Sequence, residues 1–211
     1  MFSEFAEVSS ATWGVIVALL LVGVVVFAVS KDKKRWTARM LANGALCIAL
    51  STVLSFITLY KMPQGGSITL ASMLPMFLFA YAYGVGPGRL VGAAYGFVQF
   101  LQGGLYFVHP VELLLDYPLA FAMLGLAGLS NKFSDQWGMI PGIILGTFGR
   151  FVCAFLSGLI FFGMYAPEGQ NVVIYSMVYN GLYLVPEAII CIVLAMIPQI
   201  RQLAKRLALQ D

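Results

Sequence analysis

Glu112 and Asp116 stand four residues apart in a stretch otherwise built of leucine, valine and proline, and Tyr117 and Pro118 follow directly. A helix carries positions i and i+4 on one face, so the two carboxylates project together. An acid and an aromatic ring at one depth suit a cationic ligand, since the carboxylate neutralises its charge and the ring face attracts it. The plainer reading, that the acids only mark a water interface, remains open on these residues alone.

A second constellation lies near the C-terminus. Ser176, Asn180, Tyr183 and Glu187 are spaced 4, 3 and 4 residues apart, one continuous helical stripe flanked by Tyr175 and Tyr179. Such a stripe in a lipid-embedded helix must face protein or water. Helix-to-helix hydrogen bonding is one outcome and a ligand cavity the other. Gln99 and Gln102 also need an interior partner. Arg150 and Glu187 fall at similar depth in neighbouring antiparallel segments, given a rise of about 1.5 Å per residue. Their spacing predicts an internal ion pair, with a ligand-facing Arg150 as the alternative.

The elements that hold these groups are membrane helices. The chain has 211 residues, 61% hydrophobic and 10% charged, against about 25% charged in soluble domains. Apolar runs cover residues 13–30, 41–60, 68–83, 90–108, 113–129, 139–165 and 172–200; a helix crossing a bilayer needs about 20 residues. That composition excludes a water-soluble enzyme, a nucleic-acid-binding module and a disulfide scaffold. Cys47, Cys153 and Cys191 all sit in apolar runs and read as small core residues. The first run has Glu4 and Glu7 before it and Lys31-Asp32-Lys33-Lys34-Arg35 after it, the flank of a retained helix rather than a signal peptide. With the N-terminus outside, Lys31, Lys33, Lys34, Arg35, Arg39, Arg89, Lys132, Arg201, Lys205 and Arg206 all fall on the cytoplasmic side, ten of the twelve basic residues. This predicts a multi-pass plasma-membrane protein with a cytoplasmic C-terminus.

The expected outer loops, residues 61–67, 109–112 and 166–171, combine turn-forming Pro and Gly with groups that hydrogen-bond. Together with the polar residues below them they predict a binding site that opens outward. Gly142 and Gly146, and Ala45 and Ala49, each leave room for close helix approach. There is no GxxxxGK[ST], HExxH or GxSxG, and the cluster Gly84-Val85-Gly86-Pro87-Gly88 reads as a tight turn. Neither catalysis nor a metal site is expected, and any uphill transport must draw on an ion gradient or another subunit.

Several segments in order carry a resemblance. Lys61-Met62-Pro63-Gln64-Gly65-Gly66-Ser67-Ile68, Tyr106-Phe107-Val108-His109-Pro110, Leu115-Asp116-Tyr117-Pro118-Leu119, Ser157-Gly158, Phe161-Phe162-Gly163-Met164-Tyr165 and Tyr175-Ser176-Met177-Val178-Tyr179-Asn180-Gly181 with Pro186-Glu187 resemble the thiamine-specific S components of energy-coupling factor transporters, the ThiT/YuaJ family. The match runs from about Leu41 to Arg206. It implies an all-α membrane protein: a six-helix substrate-binding bundle over residues 37–206, preceded by an additional transmembrane helix with a basic flank in residues 1–36 and followed by a tail at 207–211. It implies capture of thiamine from outside, with a membrane T component and two cytoplasmic ATPases that use ATP, no cofactor in this chain and no nucleic acid.

Residue by residue, the resemblance makes Asp116 the acid facing the thiazolium and Tyr117 the aromatic beside it. Tyr175 and Asn180 become hydrogen-bonding positions for the pyrimidine, Phe162 a stacking ring, and Arg150 a basic group near the hydroxyethyl end. Lys61, Gln64, His109, Glu112, Tyr179 and Glu187 are expected in the loops or behind these contacts. Ala45 and Ala49 look like the small-residue surface that docks on the T component. Ala154 stands where the family often has a ligand-contacting histidine, and the helix in residues 13–30 is extra to the six-helix pattern. Two other classes compete: a stand-alone gradient-driven carrier of thiamine or a related compound, and an intramembrane enzyme.

Overall fold

The computed structural model describes residues 36–103, 109–132 and 137–209. The expected helix in residues 13–30 and its basic flank lie outside them, as does the segment 104–108. From residue 34 onward the chain forms one compact unit. Helix α1 (Ala38–Phe56) is followed by strands β1 (Thr58–Lys61) and β2 (Ser67–Thr69), then helices α2 (Leu74–Tyr83), α3 (Val85–Gln102), α4 (Pro110–Asn131), α5 (Met139–Phe161), α6 (Val172–Ala195) and α7 (Pro198–Leu209). By length and composition α1, α4, α5 and α6 are able to cross a membrane, while α2 is a shorter apolar helix.

Two expected spans are shorter than their apolar runs, for one local reason. The run 41–60 leaves the helix at Phe56, and 68–83 enters one only at Leu74, because the residues between form an antiparallel hairpin. Thr58, Tyr60, Ile68 and Thr69 are β-branched or aromatic and suit extended backbone. Pro63, Gln64 and Gly65 make the turn, with positive φ at Gln64 (56°) and Gly65 (97°). The run 172–200 is also divided: α6 ends at Ala195, and Pro198 opens α7 as its first residue. Proline has no N–H to continue the ladder but fits a helix start. Helix α7 continues to Leu209, and Leu207 packs against the core.

The bundle is organised around α2, whose ten residues are all buried. It packs against α1, α3, α4, α5 and α7. Gly84 alone joins α2 to α3, at φ 95°, a conformation that favours glycine; the expected tight turn is this one residue, with α3 starting at Val85. Along α3, Gly88, Gly92 and Gly96 form a stripe against the backbone of α4. A Cβ on Gly96 would lie 2.5 Å from the Tyr117 carbonyl oxygen. That close approach fixes where the next site residues stand.

Candidate functional site

A cavity of about 670 Å³ is walled by the β1–β2 hairpin and by α1, α3, α4, α5 and α6. Helix α4 supplies its acidic side. His109 caps that helix, its Nδ1 accepting from Val111 N–H at 3.1 Å while the Glu112 carboxylate accepts from His109 N–H at 3.1 Å. Beyond this reciprocal cap the helix widens to π geometry over Leu115–Leu119, with Pro118 inside it. A wider turn is a common site of function, because it re-aims side chains that a regular helix would point elsewhere. The re-aimed residues are Asp116 and Tyr117, and both line the cavity with Glu112. Asp116 Oδ2 accepts from Ser157 Oγ on α5 at 2.7 Å; among the described residues no other protein donor reaches this carboxylate. The Tyr117 ring is held edge-on by Phe100 at 5.3 Å.

Helix α5 adds Arg150, Ala154, Gly158 and, at its end, Phe162. The Arg150 guanidinium carbon lies 4.1 Å over the centre of the Phe121 ring. The expected Arg150–Glu187 ion pair does not form: Arg150 lines the cavity, whereas Glu187 is buried away from it at 3% exposure. Glu187 instead accepts from Thr69 N–H (2.7 Å), from the Thr69 hydroxyl and from Ser72 Oγ (3.0 Å). Similar depth did not decide the pairing, because the turn after β2 offers three donors at the carboxylate.

The α6 stripe divides accordingly. Tyr175, Ser176, Tyr179, Asn180 and Tyr183 line the cavity, and Glu187 does not. Asn180 is largely used by the protein: Nδ2 donates to Ser176 O (2.9 Å) and Ala154 O (3.3 Å), and Oδ1 accepts from Tyr183 OH (2.9 Å). One acceptor lone pair remains on Oδ1. The Tyr175 hydroxyl has no protein partner among the described residues. Tyr179 OH donates to Pro63 O and accepts from Gly66 N–H at 3.1 Å, which fastens the hairpin turn to α6. Lys61 and Gln64 come into the wall through that hairpin.

Of the expected residues, Asp116, Tyr117, Arg150, Phe162, Tyr175 and Asn180 meet at one cavity, with Lys61, Gln64, Glu112 and Tyr179. His109 and Glu187 act behind it, on the α4 cap and the turn after β2. Ala45 and Ala49 lie exposed on α1, outside the cavity. Ser55, Phe121 and Tyr165 line it without having been singled out, and Ser157 supports it. Gln99 and Gln102 carried a legible signal as amides in an apolar run; a lone serine or aromatic in such a run carries almost none.

Apolar helices long enough to cross a membrane surround a cavity that presents a carboxylate, a guanidinium, phenols and carboxamides, a lining able to hold a small polar, ring-bearing molecule. A family profile described as Thiamine transporter protein (Thia_YuaJ) matches residues 41–207. The chain belongs to this family. It is 36% identical to the thiamine transporter ThiT of Bacillus subtilis (strain 168) over 160 residues, 70% of this chain and 83% of that one. It is 32% identical to ThiT of Lacticaseibacillus paracasei over 123 residues, 52% of this chain and 61% of that one. The solved structure of ThiT from Listeria monocytogenes is similar at a TM-score of 0.70 and 25% identity, covering 80% of this chain and 96% of the other.

Proposed function

We propose that this chain is the substrate-capturing S subunit of an ATP-driven thiamine importer. Residues 37–206 act as its substrate-binding membrane domain, with the cavity facing outward. The observation that carries the reading is Asp116: a carboxylate on a widened helical turn, held by Ser157 and reached by no other protein donor among the described residues, beside the Tyr117 ring. Thiamine is a flat cation with an aminopyrimidine ring and a hydroxyl. Asp116 and Tyr117 receive its thiazolium, Tyr175 and Asn180 its pyrimidine, Phe162 a ring face and Arg150 the hydroxyethyl end. Family membership supports thiamine as the ligand. The ATP is consumed by partner subunits, because the sequence carries no nucleotide-binding motif of the P-loop type. The T component docks where Ala45 and Ala49 lie exposed among Leu41, Leu46, Leu50 and Val53.

The test is calorimetric titration of the detergent-purified protein with thiamine, its phosphates and its isolated ring precursors. Wild type is expected to bind thiamine below micromolar, and Asp116→Asn to weaken it at least tenfold. Binding of a precursor in place of thiamine would reassign the ligand, with Ala154 as the mark of changed specificity. Uptake in cells that collapses with an ionophore, and persists without the ATPases, would replace the importer subunit by a gradient-driven carrier.

A further inference from the structure

The cavity has a second polar side, on α1 and α3, that the assigned contacts leave unused. Tyr95 OH donates to the Ser51 carbonyl at 3.1 Å. Gln99 Nε2 then spends its two hydrogens on Tyr95 Oη at 2.9 Å and on Gln102 Oε1 at 2.7 Å. Ser55 Oγ also lies 3.2 Å from Gln102 Oε1. The chain has a direction. In the arrangement of this structure Tyr95 donates to the Ser51 carbonyl and accepts from Gln99, and Gln99 turns its remaining N–H on the Gln102 oxygen. Reversing the Gln102 amide would set one NH2 against another. Its Nε2 is thereby left over, and it has no hydrogen-bond partner.

Among the described residues, Ser51 Oγ, Gln102 Nε2 and Thr147 Oγ1 are buried without a hydrogen-bond partner. Only Gln102 belongs to the cavity wall. A buried donor without a partner is costly and calls for a specific explanation, and at a cavity wall a bound molecule can supply the acceptor. Building on the reading of the cavity as the thiamine site, we propose that Gln102 is a specificity-determining ligand contact. Its amide N–H donates to a hydrogen-bond acceptor on the bound molecule, a ring nitrogen or a hydroxyl oxygen, and Gln99 and Tyr95 are positioning residues that fix the amide. A ligand that offers only a donor at this place meets a second donor and is rejected.

The experiment titrates wild type, Gln102→Met and Gln99→Met with four ligands: thiamine, its analogue with hydrogen in place of the hydroxyl, and its two analogues with CH in place of one or the other pyrimidine nitrogen. Gln102→Met is expected to weaken thiamine about five- to tenfold, the size of one neutral hydrogen bond with its desolvation. The same substitution should cost nothing against the one analogue that lacks the accepted atom. Gln99→Met should weaken thiamine less. Equal affinity of wild type and Gln102→Met for thiamine overturns the assignment, and so does an equal loss against every ligand. A wild type that takes up no thiamine overturns the ligand reading and this assignment with it; only that outcome touches both.

Discussion

Replacing Glu187 by alanine should release the hairpin while leaving the cavity side chains of α4 and α5 in place. The carboxylate takes three donors from the turn after β2: Thr69 N–H, the Thr69 hydroxyl and Ser72 Oγ. The two hydroxyls lie 2.7 Å apart and can turn on each other once the carboxylate is gone. Thr69 N–H, buried with its residue at 4% exposure, has no such recourse. One stranded amide with the loss of charge-assisted bonds amounts to about 2–4 kcal/mol. That is roughly a 30- to 1,000-fold rise in the local opening equilibrium of the segment, given about 1.4 kcal/mol per factor of ten. Amide hydrogen exchange of β1 and β2, in the detergent-solubilised protein, reads it directly. Thiamine affinity should fall as well, since Gln64, Gly65, Gly66 and Ser67 belong to the cavity wall. Glu187→Gln keeps one carbonyl acceptor and should fall between wild type and alanine. Arg150→Met combined with Glu187→Gln should be additive, because the two residues do not touch. Unchanged exchange in Glu187→Ala, or a strong non-additivity with Arg150, would refute the reasoning and return the pair to the ion-pair picture.

Three further outcomes follow from the same geometry. Ser157→Ala removes the 2.7 Å bond to Asp116; a hydrogen bond to a charged group is worth about 1.5–3 kcal/mol, and part of it should appear as a several-fold loss of thiamine affinity by titration, smaller than that of Asp116→Asn. Tyr179→Phe deletes the bonds to Pro63 O and Gly66 N–H but keeps the ring; hydrogen exchange should then show a ligand-bound protein that protects α4 yet no longer protects the hairpin. Gly96→Ala sets a Cβ 2.5 Å from the Tyr117 carbonyl; overpacking of this kind costs about 1–3 kcal/mol and should lower the melting temperature and the affinity together, since the displaced backbone carries Asp116.

Much of this arrangement was legible from residue type and spacing. Glu112, Asp116 and Tyr117 stand out as acids and a ring in an apolar run, and α6 shows its 3-and-4 periodicity directly. Hydropathy could not find the hairpin, because Thr58, Leu59, Tyr60, Ile68 and Thr69 are as apolar as the helix they interrupt. Periodicity also could not divide the α6 stripe. Ser176, Asn180 and Tyr183 face the cavity while Glu187, one turn on, answers to donors from a turn more than 100 residues earlier in the chain. Such partners are a property of the tertiary fold. Gly88, Gly92 and Gly96 are spaced four residues apart, but the consequence of that spacing depends on the backbone of α4 that lies against them.

Among the described residues, the long-range hydrogen bonds that hold the hairpin come from one helix. Tyr179 holds its turn, Glu187 holds the residues just after β2, and both side chains belong to α6. The same helix supplies Tyr175, Ser176, Asn180 and Tyr183 to the cavity. Asp116 and Tyr117 come from α4, and Arg150 from α5. An occupant that touches both sides therefore ties α6 to α4 and α5, and through Tyr179 and Glu187 ties the hairpin to them as well. A ligand changes an equilibrium only by its differential affinity for the two states. Moving α6 against α4 and α5 would part the two walls of the cavity and displace both hairpin fastenings together.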